Sequence, residues 1–341
     1  MAAMSIERID TAELGRGGPV VGVQGFGAMG ISDAYGETDE AAARDTLEAA
    51  VETGVTLIDT ADMYGIGRNE EFLAPFIAAH RDELAVATKF AIERRADDPT
   101  YRAIRNDPAY IRTAVEASLC RLGVDAIDLY YMHRRDPAVP LAESVGAMAE
   151  LVQAGKVKHL GLSEVTGAEL REAHAIHPIA AIQSEWSVFS RDVERSAVGA
   201  AAELGVAFVP YSPLGRGFLT GSFSNAAELQ NNDFRRLMPR FTGDNAAANA
   251  ALLTPLREIA ADHDATIAQI ALAWVQQRAR VHDLTVVPIP GTRRRARLLE
   301  NAAATRITLT DDELKKLEPI AAQVAGDRCA DMSPTSAARE D

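Results

Sequence analysis

Asp59, Tyr64, Lys89 and His133 are the residues of this chain whose types and order suit delivery of a proton to a carbonyl oxygen. A tyrosine alone is a poor acid near neutrality, with an ordinary pKa of about 10. A lysine ammonium beside it favours the phenolate and eases proton release, and an aspartate paired to that lysine keeps it charged and fixed. A histidine orients the carbonyl or helps relay the proton. Such a group has neither a nucleophile nor a metal, so reduction would need a hydride from elsewhere. Taken singly, each residue has a plainer explanation: Asp59 as a turn cap, Tyr64 as a half-buried loop aromatic, Lys89 as a solvated strand end, His133 as a satisfied core histidine.

A second group lies near the other end of the chain. Residues 288–301 read PIPGTRRRARLLEN, a glycine turn leading into a helix whose start is crowded by Arg293, Arg294, Arg295 and Arg297. Cations are unfavourable at a helix N-terminus, which already carries partial positive charge. A bound phosphate removes the conflict by using both the arginines and the helix N–H groups. This suggests a nucleotide with a terminal phosphate monoester, such as the 2′-phosphate of NADP.

The elements that must position these residues alternate almost throughout. Strand-like runs occur at 20–26, 55–59, 84–90, 127–133, 158–163, 180–186, 206–212 and 284–290. Amphipathic helical patterns at 39–54, 109–123, 141–155 and 193–205 each end in glycine. The repeat predicts a parallel sheet closed into a single-domain α/β (β/α)8 TIM barrel spanning residues 1–325, followed by a flexible tail at 326–341. In such a barrel the active site gathers at the carboxyl ends of the strands. Those ends read Asp59, Lys89, His133, Ser163, Gln183 to Glu185, Tyr211 to Ser212 and PIPGTR. After the strand at 206–212 comes a long loop, 215–250, before two helical stretches in 252–277. Asn69 is placed to cap the helix that follows the turn carrying Tyr64.

Bulk properties narrow the classes further. The chain has 341 residues, 35 basic and 49 acidic, for a net charge of −14, a poor balance for nucleic acid or an anionic membrane. No apolar run approaches the length of a membrane span, and the polar opening MAAMSIERID has no signal-like core, which points to the cytoplasm. Cys120 reads as a small core residue, and His174 and His177 lack the further ligands that a metal site requires. The oligomeric state is not legible.

The stretches GFGAMG (25–30), DTADMYG (59–65), ATKF (87–90), YYMHRRDP (130–137), GKVKHLGLSE (155–164), QSEWSVFSRDVE (183–194), YSPLGRGFLTG (211–221), PIPGTR (288–293) and LLEN (298–301) resemble the aldo-keto reductase family, in its order and over almost the whole chain. The resemblance implies an NADP-dependent oxidoreductase acting on a small-molecule carbonyl substrate. It makes Tyr64 the general acid, Lys89 and Asp59 its tuning pair, and His133 the carbonyl orienter. It implies cofactor contacts from Met29 and Asp59, Ser163 and Gln183 on the carboxamide, and Tyr211 stacked on the nicotinamide. Ser212, Pro213, Leu214 and Arg216 would lie along the pyrophosphate, Gly291, Arg293 and Arg297 at the 2′-phosphate, and Glu300 and Asn301 at the adenine. Departures from the wider pattern are Glu164 after Ser163 (where many members have asparagine), Met132 beside His133, and Cys329 in GDRC near the end. Met132 and the tail are expected to reshape the substrate pocket.

Other readings remain open at this stage. Some relatives of that family are regulatory subunits that bind NADP and sense redox state. Asp59, Asp62 and Glu185 could serve a glycosidase-like barrel with paired carboxylates, although that leaves the arginine cluster unexplained. GFGAMG also matches a dinucleotide fingerprint, a reading set aside because a polar loop, ISDAYGETDE, rather than an immediate helix follows it. Phe223, Phe234, Phe241 and Trp186 are expected to offer apolar contacts to a bulky carbonyl compound.

Overall fold

The computed structural model describes residues 7–32, 35, 36, 38–98 and 100–340. A parallel sheet runs in chain order through β1 (Phe26–Gly27), β2 (Leu57–Asp59), β3 (Ala85–Phe90), β4 (Ile127–Met132), β5 (Val157–Ser163), β6 (Ile179–Glu185) and β7 (Ala207–Tyr211). The segment 284–290 closes the ring. It bridges β7 at Phe208 and Val286, its Ile289 N–H donates to Pro210 O at 3.1 Å, and its Pro288 carbonyl accepts from Gly25 N–H at 2.9 Å. The segment pairs only intermittently, because Pro288 and Pro290 have no N–H to give a ladder. The result is a (β/α)8 barrel with helices outside. Among the described residues no helix is long and apolar enough to cross a membrane.

The run expected as one strand at 20–26 is divided. Val20–Gly22 pairs antiparallel with Thr11–Glu13 in a hairpin, and only Phe26–Gly27 joins the barrel. The loop 215–250, expected to be irregular, is wound into four short 3-10 turns and a helix at Gly243–Ala251. A second hairpin, Ile92–Arg94 with Arg102–Ile104, follows β3 and had no signal in the strand pattern.

Side-chain alternation sorts the strands into two cores. Leu57, Ala85, Ala87, Leu129, Tyr131, Ala181, Val209, Val287 and Ile289 fill the barrel interior. Ile58, Val86, Phe90, Tyr130, Met132, Leu162, Ile182 and Phe208 face the helices. Gly161 is required inside, since a Cβ there would lie 2.4 Å from the Tyr131 ring. Two positions beyond this filled layer, the same inward register carries Asp59, Lys89, His133, Ser163, Gln183 and Tyr211. Met132 has the opposite parity. It is fully buried against the helices, which corrects the expectation that it shapes the pocket. Cys120 is also corrected: it is exposed, because the helix Pro108–Leu122 buries Ile111, Ala114, Val115, Ser118 and Leu122 instead.

Candidate active site

Lys89 reaches the rim from β3 with no solvent exposure. Its Nζ donates to Asp59 Oδ1 at 2.5 Å and to Thr60 O at 2.7 Å. The second oxygen of Asp59 accepts from Gln183 Nε2 at 2.8 Å. Burial pushes the Asp59 carboxyl up and the Lys89 ammonium down, while each charge opposes the shift of the other. The close contact and the extra donors favour a shared, ionised pair. That pair sits beneath Tyr64: Lys89 Nζ lies 5.2 Å from the centroid of the Tyr64 ring. The same ring meets His133 edge-on, with centroids 5.9 Å apart and planes at 87°.

Tyr64 is buried and opens a tight turn, Tyr64–Gly67, in which Ile66 adopts left-handed backbone at φ 58°. A β-branched residue there costs about 1–2 kcal/mol. The surroundings hold the turn: Arg94 of the second hairpin donates to Met63 O at 3.2 Å. Asn69 does not cap the following helix, which spans Arg68–Ala79. It is buried in the first turn, accepts from Thr60 Oγ1 at 2.6 Å, and donates to Ala28 O at 2.9 Å and Ser32 Oγ at 2.7 Å. Asn69 thus ties the loop after β1 to the loop after β2, beside Asp59. The segment after Gly27 is not simply a polar loop, since Met29–Ser32 forms one helical turn beginning at Met29.

His133 follows β4 and donates its backbone N–H to Phe90 O at 2.9 Å. Burial lowers its pKa well below the ordinary value, and the charges of Arg134, Lys89 and Arg102 push the same way. The ring is therefore neutral near pH 7, and its buried Nδ1 has no hydrogen-bond partner among the described residues. A neutral imidazole beside a phenol and a buried ammonium can orient a carbonyl oxygen and assist its protonation.

The other residues expected at the rim fall into two groups. Ser163, Gln183 and Tyr211 do meet there. Ser163 Oγ accepts from Arg134 at 3.3 Å, and the Tyr211 hydroxyl donates to Glu164 Oε1 at 2.6 Å. The loop after β7 carries Ser212, Pro213 and Leu214, with left-handed backbone at Ser212, Gly215, Arg216 and Gly217. Arg216 turns away from solvent to Glu185 Oε2 at 2.8 Å and to Arg328 O at 2.5 Å. Glu185 is thereby committed to cations, which argues against a role as one of a catalytic carboxylate pair.

The four arginines of the C-terminal cluster separate. Arg293 donates to Tyr35 O, Gly36 O and Thr38 Oγ1, at 3.0–3.3 Å. Arg295 pairs with Asp45 and Glu52 of the helix Glu40–Thr53. Arg297 is half exposed and bonds Glu300 Oε2 at 2.7 Å, while Glu300 also accepts from Thr266 Oγ1 at 2.7 Å. Arg294 is the N-cap of the helix Arg295–Ala303, whose first turn receives no side-chain cap. Asn301 is buried. At the end of β1, Gly27 and Gly291 approach backbone to backbone: a Cβ on Gly291 would lie 2.5 Å from Gly27 O.

Three of the aromatic residues expected along the pocket are in the core. Phe241 stacks on Phe218 at 5.2 Å and Phe223 meets both rings edge-on at 5.3 and 5.8 Å, while Trp186 packs on Phe208 at 4.8 Å. Phe234 lies edge-on to Tyr35 at 5.2 Å and remains partly exposed.

The sequence reading missed an ion network built on the tail. Arg328 is 1% exposed and grips both oxygens of Glu164, itself 0% exposed, at 3.1 and 2.8 Å. It also donates to the Tyr211 hydroxyl oxygen at 3.0 Å and to Asp192 at 3.3 Å. Ser336 N–H adds a bond to Glu164 at 3.0 Å, and Arg339 pairs with Glu169. The described residues 326–340 of the tail, expected to be flexible, make these contacts through Arg328, Ser336 and Arg339. The one available signal was the acidic Glu164 beside Ser163, which needs a buried cation and finds it in GDRC.

A closed (β/α)8 barrel with tyrosine, lysine, aspartate and histidine at one rim defines a class. The chain belongs to the aldo/keto reductase family, whose model matches residues 25–322. Among solved structures it resembles a thermostable aldo-keto reductase in complex with the inhibitor epalrestat, at 30% identity and a TM-score of 0.72, covering 92% of this chain and 100% of that one. It also resembles a glycerol dehydrogenase from Gluconobacter oxydans (26%, TM-score 0.82, covering 95% and 98%). A third match is the holo form of an aldo-keto reductase from Bacillus halodurans (25%, TM-score 0.73, covering 92% and 96%). Membership of this family makes the protein an oxidoreductase of carbonyl chemistry.

Proposed function

We propose that this chain is an NADPH-dependent reductase of aldehydes or ketones in which Tyr64 supplies the proton. The observation that carries the reading is the buried Asp59–Lys89 pair under the Tyr64 ring, with neutral His133 against the same ring. NADPH, when bound, supplies the hydride. Tyr64 gives its hydroxyl proton to the carbonyl oxygen, and the phenolate left behind is balanced by the Lys89 ammonium. Asp59, itself braced by Gln183, and the Thr60 carbonyl hold that ammonium in place, and His133 fixes the direction of the carbonyl.

The residues present suit a phosphorylated nicotinamide nucleotide. The helix Arg295–Ala303 begins without a side-chain cap amid Arg293, Arg294 and Arg297, as an anion site requires. The left-handed backbone at Ser212, Gly215, Arg216 and Gly217 and the close Gly27–Gly291 approach suit main-chain contacts to a phosphate. Fluorescence titration should show tight binding of NADPH and weak binding of NADH. Tyr64→Phe should abolish NADPH oxidation by small carbonyls while leaving NADPH affinity nearly intact. A fully active Tyr64→Phe variant would remove the mechanism, and binding of neither nucleotide would remove the hydride source.

A further inference from the structure

Arg134 is a cation at the barrel mouth that the scheme above does not use. It follows His133 directly. Its Nη1 donates to His133 O at 2.7 Å and to Ser163 Oγ at 3.3 Å, and its guanidinium carbon stands 6.0 Å from the centroid of the Tyr211 ring. The side chain is half-buried. Its Nε and Nη2 make no hydrogen bond, and no carboxylate of the described residues lies within ion-pair distance of it. Glu164, which feels its charge, is already committed to Arg328, Tyr211 and Ser336.

The charges acting on the His133 ring are Arg134, Lys89 and Arg102, all cationic. Lys89 is balanced by Asp59, but Arg134 has no such counter-ion. In a protein of net charge −14, a guanidinium beside His133 with no ion-pair partner among the described residues is a local feature with a local cause. A planar guanidinium with one free edge is matched to a carboxylate, which it can hold through two parallel hydrogen bonds.

We propose that Arg134 anchors a carboxylate carried by the substrate, so that the preferred substrates are small oxo-acids rather than neutral aldehydes or ketones. The proposal rests on the reductase reading. It places the carboxylate beside the carbonyl because Arg134 directly follows His133 and donates to its backbone carbonyl. The phosphate-suited elements, by contrast, are the loop Ser212–Gly217 and the helix start near Arg293.

The test uses matched pairs of carbonyl compounds: 4-carboxybenzaldehyde with benzaldehyde, and 4-oxobutanoate with butanal, followed by NADPH oxidation. The wild type should favour the carboxylate member of each pair in kcat/KM. Arg134→Gln should cut that preference by roughly tenfold to a hundredfold, mainly through KM, the usual worth of a charge-assisted pair. Arg134→Lys should retain part of it. Turnover of the neutral aldehydes with no preference in the wild type, or an equal preference in Arg134→Gln, overturns the carboxylate anchor alone. A parallel loss of NADPH affinity in Arg134→Gln assigns the residue to the cofactor and also overturns it. Failure of every carbonyl compound to oxidise NADPH overturns the reductase reading itself. Should Arg134→Gln not fold, the wild type decides: benzoate should compete with benzaldehyde and benzamide should not, and equal inhibition by the two overturns the proposal.

Discussion

Replacing Arg328 with methionine isolates the contribution of the tail network. The guanidinium is held by both oxygens of Glu164, by Asp192, and by Glu185 at 3.6 Å, all in a region closed to solvent. Removing it strands the Glu164 carboxylate with the Tyr211 hydroxyl and the N–H groups of Ser336 and Glu185. Breaking one side of a buried ion pair costs about 3–5 kcal/mol. The surviving donors place Arg328→Met near the lower end, so a loss of roughly 3 kcal/mol is expected at pH 8. The pH dependence has a definite sign. Burial by itself would raise the Glu164 carboxyl, but Arg328, aided by Arg134 and Tyr211, holds it well below its ordinary value of 4.5. A carboxyl depressed in the folded state stabilises above its unfolded pKa, and that stability is lost as pH falls toward the folded value. Without Arg328, burial instead raises the carboxyl, so the variant weakens further as pH rises. The gap between wild type and Arg328→Met, read from urea unfolding, should therefore widen from pH 4.5 to pH 8. Adding Glu164→Gln to the variant should recover part of the loss at pH 8. A gap under about 0.5 kcal/mol at pH 8, or one independent of pH, would refute the assignment of the tail's anchorage to this pair.

Two further outcomes follow from the same geometry. Phe241→Ala should cost about 3–5 kcal/mol in unfolding free energy because the ring is packed among Phe218 and Phe223, yet leave KM for small aldehydes within about twofold. A large rise in KM with little loss of stability would return this residue to the pocket wall. His133, kept neutral by burial, binds its proton more readily in the unfolded chain, so its contribution to stability is present above its ordinary pKa of 6.5 and declines as pH falls below that. His133→Gln should remove that part of the acid sensitivity, measured as the difference in unfolding midpoint between pH 5 and pH 7.5. An unchanged difference would contradict a neutral buried ring.

The alternation of short apolar runs with glycine-ended helical patterns was enough to read the barrel, because strand parity and helix caps are local properties. The rim residues were legible for the same reason. Asp59, Lys89, His133, Ser163 and Gln183 each sit at the end of an apolar strand, and a barrel gives such ends one common direction. What lay beyond reach were pairings between residues far apart in the chain. Arg216 looks in sequence like a ligand-facing cation, and only its meeting with Glu185 and the Arg328 carbonyl turns it inward. Asn69 looks like a cap, and only the approach of Ala28 and Thr60 makes it a brace. Phe223 and Phe241 look like pocket walls until Phe218 gathers them into the core. Arg134 and Arg328 were both overlooked in sequence beside residues noticed for other reasons, His133 and Cys329. Burial and the presence or absence of a carboxylate partner separate them, and both depend on which distant segments fold against each side chain. Sequence determined the frame and the chemical types at its rim. Tertiary packing alone decided which charges are spent on one another and which are left without an ion-pair partner among the described residues.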